Sequence, residues 1–136
     1  MILLETSLLS LAYERRSGPD PRPVAALRQM VRENVSLAVP GIVWQELLAG
    51  VRSEEQRELL KTHLAAFPIL LASEDLHVSA ARFAQACRAK RIACSAVEAL
   101  IAAHAVSGKA SLFTLNPAYA PIARQARFEL FDSLAV

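Results

Sequence analysis

The chain has 136 residues, of which 54% are hydrophobic and 21% charged, so it has one domain's length, material for a real core, and no signature of disorder. Its formal net charge is only +2, which is no strong basic field of the kind that marks a nucleic-acid binder, although a local metal site could supply positive charge. Cys87 and Cys94 show no C-x-x-C spacing and no paired framework, which fits a reducing compartment.

Residues 1–4 form a short apolar run ending at Glu5, consistent with a buried strand. No Lys or Arg precedes that run and no apolar stretch is long enough to span a bilayer, so a cytoplasmic protein with no membrane role is expected. Thr6 and Ser7 can cap a helix running to about residue 15, and the Gly/Pro-rich residues 17–21 read as a loop. Residues 23–33 place Val24, Leu27, Met30 and Val31 on one helix face. Residues 35–39 read as a strand, and Pro40 suits the first turn of a helix ending near Gly50.

Ser53 caps the next helix, with Glu54 and Glu55 in its favourable first turn. Residues 68–72 are an apolar strand, and Ser73 caps a long helix over 74–91 that ends in Arg88, Lys90 and Arg91. Ser95 caps a helix over 96–106, closed by Gly108. Residues 111–115 form a strand, Asn116-Pro117 starts a short helix broken around Pro121, and 127–131 alternate like an edge strand. Strands alternating with helices predict an α/β fold over residues 1–136, a single domain with a mostly parallel sheet between two helical layers. In such sheets, sites form outside the carboxyl ends of the strands.

Four residues fall near those ends: Glu5 after the first strand, Glu46 and Glu98 in following helices, and Asn116 after the strand 111–115. Three carboxylates and an amide oxygen would make a hard site suited to Mg²⁺ or Mn²⁺, able to activate water against a phosphodiester. Each residue also has an ordinary reading. Ser95 and Glu98 have the spacing of a capping box, Glu46 suits a solvated helix face, Glu5 a helix N-terminus, and Asn116 a turn. Thr6 and Thr114 can hydrogen-bond carboxylates, or serve as a cap and a strand residue. Arg88, Lys90 and Arg91 could touch an RNA backbone, or complement a helix C-terminus. His104 and Trp44 read as packed residues, and the cysteines as small buried thiols.

Together these segments resemble the PIN-domain family and, within it, the VapC-type toxins of toxin–antitoxin pairs. Leu3-Leu4-Glu5-Thr6-Ser7 is similar to the family's first strand and its Asp-Thr-Ser ending. The stretch from Val39 through Glu46 to Gly50 is similar to the second motif, Ser95-Ala96-Val97-Glu98 to the third, and Leu112 through Asn116 to Tyr119 to the fourth. Glu5 and Glu98 stand where the family usually has Asp, and Ala118 where a further Asp is common. The resemblance implies an α/β/α fold, a homodimer, a cognate antitoxin and Mg²⁺- or Mn²⁺-dependent endoribonuclease activity. It implies that Glu5 and Glu98 ligate the metal, that Glu46 is a ligand or base, and that Asn116 completes the set. It also implies a groove for the antitoxin's tail along the helices of residues 42–67.

Each Glu extends the carboxylate by about 1.5 Å beyond Asp, against a tolerance of roughly 0.5 Å in catalytic constellations. A different class of protein therefore stays open: a catalytically weakened or inactive binding module that still pairs with an antitoxin.

Overall fold

The computed structural model describes residues 1–14 and 16–133. Four short strands form one parallel sheet: β1 (Ile2–Leu4), β2 (Leu37–Pro40), β3 (Ile69–Leu70) and β4 (Ser111–Phe113), in the order β3-β2-β1-β4. Ile2 pairs with Leu37 on one side and with Ser111 on the other, so β1 is central. Leu3, Leu4, Val39, Leu112 and Phe113 are buried, as strands covered on both faces should be.

Helices α1 (Thr6–Ala12) and α2 (Arg22–Arg32) join β1 to β2; α3 (Gly41–Ala49) and α4 (Glu54–Leu64) join β2 to β3. Helices α5 (Glu74–Ala89) and α6 (Ala96–Ser107) then cross back to β4, and α7 (Tyr119–Ala126) follows. Parallel crossovers are right-handed. The first two connections step one way along the sheet and the third steps back, so α1–α4 cover one face and α5–α6 the other. The packing agrees: α1 meets α2 and α3, whereas α5 meets α6 and α7. The expected three-layer α/β/α architecture is the one observed. No helix among the described residues is long and apolar enough to cross a membrane.

Several boundaries differ from the sequence reading for identifiable reasons. The N-cap of α1 is Glu5 itself, in extended conformation with its side chain accepting from the Ser7 N–H, rather than Thr6 or Ser7. That helix is helical to Ala12, and residue 15, where its end was expected, lies outside the described residues. Pro40 is the last residue of β2 and the N-cap of α3, because its fixed φ of −60° suits extended backbone as well as a first turn. β2 begins at Leu37 rather than at residue 35, and the strand expected over 68–72 shortens to two residues at the sheet edge.

Pro121 does not break α7, which starts at Tyr119 and places Pro121 in its first turn, where no N–H is required. Residues 127–131 make no strand: Leu112 and Leu130 form an isolated parallel bridge beside β4. Helices α2, α5, α6 and α7 end at or beside a residue with positive φ: Asn34, Arg91, Lys109 and Arg127.

The long apolar run of α6 is explained by its place. Ala99, Ile101, Ala102, Ala103, His104 and Ala105 are buried, since the helix is covered on nearly every side and the small alanines admit close neighbours. His104 is buried as expected, and its pKa is held below the ordinary 6.5, first by burial and then by the neighbouring His77. The fold therefore favours the neutral ring. Above 6.5 both states are neutral and this stability is complete; as pH falls below 6.5 the unfolded chain gains a proton that the fold resists. Chemical denaturation at about pH 7.5 and about pH 5 should show stability dropping with acid, and His104→Gln should flatten that drop; an unchanged slope would refute the assignment.

Candidate functional site

The sheet's order reverses between β1 and β4, and the crevice at their carboxyl ends is where the fold leaves room for a site. Glu5 follows β1 there. Its backbone N–H bonds to Phe113 O at 3.1 Å, and its side chain is only 5% exposed. A buried carboxylate needs donors, and three converge on Oε2: the Ser7 N–H at 2.9 Å, the Thr114 hydroxyl at 2.7 Å, and the Ser7 hydroxyl in a short contact.

The same hydroxyls knit the two strand ends together. Ser7 Oγ accepts from the Leu115 N–H at 2.9 Å, and Thr114 Oγ1 accepts from the Asn116 N–H at 3.0 Å. Sequence reading took Ser7 only as a cap candidate. Its hydroxyl ties β1 to β4, and an Asp/Glu-x-Ser pattern at a strand end is the signal that could have shown it.

Glu46 stands exposed on α3, where its Oε1 accepts from the Thr6 hydroxyl at 2.6 Å. Thr6 and Thr114 thus each hold a carboxylate. Glu98 makes the full capping box of α6: Ser95 Oγ accepts from the Glu98 N–H at 3.1 Å, and Glu98 Oε1 accepts from the Ser95 N–H at 2.9 Å. Asn116 closes a local turn by accepting from the Ala118 N–H at 3.0 Å. Arg88, Lys90 and Arg91 are exposed at the end of α5.

What links the three acids is a residue the sequence reading passed over. Tyr119, 1% exposed at the start of α7, has its hydroxyl pKa raised, first by burial and then by the charges of Glu5, Glu98 and Glu46. One buried phenol therefore feels all three carboxylates. Cys94 lies in the same neighbourhood: burial, a hydrogen bond with Cys87 and the charge of Glu98 push its thiol up to about 12. The two cysteines meet at the turn between α5 and α6, Cys87 buried and Cys94 half-buried, and both are free of a disulfide.

By donor type, Glu5, Glu46 and Glu98 suit a hard divalent cation, and each bonds through one oxygen while the other stays outside the hydrogen bonds above. Among the described residues, however, no three His, Cys, Asp or Glu side chains gather as a preformed cage, and Glu98 is engaged in its own helix cap. The set fits such an ion in the kind of its donors.

A second feature lies on the other helical layer. A groove of about 940 Å³ runs between α1, α2 and α4, lined by Tyr13, Leu27, Val31, Leu59, His63 and Phe67 among others. Tyr13 and His63 stack across it with ring centroids 5.3 Å apart, while Val31 and Leu59 are 48% and 55% exposed.

The chain belongs to the PIN-domain family, whose model matches residues 2–125. Among solved structures it is similar to FitAcB from Neisseria gonorrhoeae, with 22% identity, all of both chains covered and a TM-score of 0.78. It is equally similar to VapBC2 from Rickettsia felis bound to a DNA fragment from their promoter, with 23% identity over 96% of this chain and 98% of that one and a TM-score of 0.78. A toxin–antitoxin complex from Klebsiella pneumoniae matches with 20% identity over 88% of this chain and 91% of that one, with a TM-score of 0.68. No curated protein gives a significant match.

The Glu5 network yields a stability prediction. Thr114→Val removes a donor from a buried carboxylate and should cost about 1–3 kcal/mol, whereas Thr114→Ser should recover most of it. Urea unfolding of the three chains checks this, and equal stability of parent and valine variant would contradict it.

Proposed function

We propose that this chain is the toxin of a toxin–antitoxin pair and acts as a Mg²⁺- or Mn²⁺-dependent endoribonuclease. The observation that carries the reading is the placing of two acids side by side at the strand ends of a PIN fold: Glu5, held by Ser7 and Thr114, and Glu46, held by the adjacent Thr6. The similarity to FitAcB and to toxin–antitoxin complexes supports the biological setting.

Glu5, Glu46 and Glu98 would hold the ion, with Asn116 completing the oxygen set. When bound, a divalent ion supplies Lewis-acid charge to the phosphodiester and makes a water more acidic. The chain's own residues do the rest. Ser7 and Thr114 fix the Glu5 carboxylate, so its direction is set before substrate arrives. Thr6 occupies Oε1 of Glu46, leaving Oε2 to take a proton from the attacking water. Glu98 reaches the site by giving up its bond to the Ser95 N–H, a cap worth on the order of 1 kcal/mol. Tyr119 is buried at the start of α7, its hydroxyl within the fields of the three acids.

The groove between α1, α2 and α4 suits the apolar tail of the antitoxin, and a homodimer and a cytoplasmic setting complete the proposal. A specific observation also favours a second reading, a binding module with weak or lost catalysis: Glu98 is engaged in its capping box and no acidic cage is preformed.

Glu98→Gln separates the two readings, because a capping box accepts Gln as well as Glu. With partner-free protein and Mn²⁺, cleavage of single-stranded RNA should be lost on adding EDTA and fall at least about 100-fold in the variant, the upper end of what metal-site neighbours cost. No cleavage of any RNA, with no Mn²⁺ binding in calorimetry, would leave the binding module. For the partner, Val31→Glu with Leu59→Glu should weaken antitoxin binding in a pull-down without altering cleavage; undiminished capture would remove the groove from the interface.

A further inference from the structure

The chain's excess positive charge is unevenly placed. Residues 1–73 carry eight Lys and Arg against eight Asp and Glu, whereas residues 74–136 carry seven against five, so the whole +2 lies in the second part. The ion pairs Arg16–Glu14, Arg16–Asp20, Arg28–Asp20, Arg57–Glu54 and Lys61–Glu58 all belong to the first part. Among the described residues, Arg124 and Arg127 make no ion pair and are exposed.

Both line a cavity of about 500 Å³ along α7, with Ala120, Phe128, Glu129 and Leu130. Its near end is Ala120, the residue after Tyr119 in the first turn of α7, whose hydroxyl feels the acids, so the cavity starts at the helix end closest to them in sequence. Its far end is Arg127, seven residues on and about 10 Å away at the rise of a helix. The half-buried Phe128 and the exposed Leu130 give it an apolar floor. Unpaired guanidiniums beside apolar surface suit a single-stranded nucleic acid, whose phosphates need cations and whose bases need a face to rest on. Glu129 opposes this, leaving the lining one net positive charge.

We propose that this surface carries the single-stranded RNA away from the acidic site, with Arg124 and Arg127 on its phosphates. The inference rests on the ribonuclease reading and names where that substrate lies. It makes Arg124 and Arg127 binding residues, outside the chemistry of cleavage. Arg127 also offers a clean test. It ends α7 in left-handed conformation, φ 64° and ψ 57°, which glycine adopts without strain, so Arg127→Gly deletes the cation while preserving the fold.

The experiment measures binding of a labelled single-stranded RNA to the full chain by fluorescence anisotropy over a salt series, beside cleavage kinetics. Arg124→Gln with Arg127→Gly should weaken binding about tenfold or more and reduce the slope of log affinity against log salt by about 1.4, at about 0.7 per phosphate contact on a single strand. KM should rise with kcat nearly unchanged. Glu129→Gln should tighten binding. Arg32→Gln with Arg52→Gln removes the same charge from the other layer and should leave the slope alone.

Equal loss in that control, or an unchanged slope in the α7 variant, overturns the proposal. So does a variant that alters the sedimentation coefficient and not RNA binding, which would make the surface a protein interface. A parent that cleaves RNA while the α7 variant behaves identically defeats this path alone. A parent that neither binds nor cleaves RNA defeats the ribonuclease reading with it.

Discussion

The buried carboxylate of Glu5 organises this molecule. A charge at the end of the central strand would be costly without partners, and its partners come from two elements distant in sequence: Ser7 in α1 and Thr114 after β4. Satisfying it joins the first turn of α1, the end of β1 and the end of β4 in one hydrogen-bonded knot. The two strand ends at the sheet's reversal are therefore tied by polar contacts. The site exists because the fold must solve the problem Glu5 sets.

The other two acids are held differently, and the differences are graded. Glu46 has one threonine and stands in solvent; Glu98 has a cap of its own. The donors thus fall from three on the buried Glu5 to one each on the exposed Glu46 and the half-buried Glu98. In the ribonuclease proposed above, such a site would have one fixed point and two adjustable arms, which would suit glutamates whose longer side chains had to find a common geometry. Aspartate in these places would have less reach and less need of adjustment.

Much of this was legible in the residues. The apolar strands, the serine caps at 53, 73 and 95, and the capping box of Glu98 follow from local rules, and local rules acted here. The role of Tyr119 was not legible, because nothing in a lone aromatic says that its hydroxyl lies within the fields of three acids. Nor was the meeting of Cys87 with Cys94, which the turn between two helices creates. The alternation at 127–131 misled because one bridge to Leu112 reproduces the pattern of a strand without its ladder. Pro121 misled because a helix can begin just before a proline as readily as it can end there.

The sheet's borders carry a last consequence. β3 is an outermost strand only two residues long, and Leu71 beyond it is 78% exposed. A long apolar border would be a template for another chain to join. Here the template offers too few backbone groups to hold a stranger in register. On the opposite border, residues 129–131 exchange backbone bonds with Leu112 at 2.9 and 2.8 Å and so fence β4. Brevity on one side and a fence on the other leave this apolar, fully parallel sheet little open border for another strand to extend.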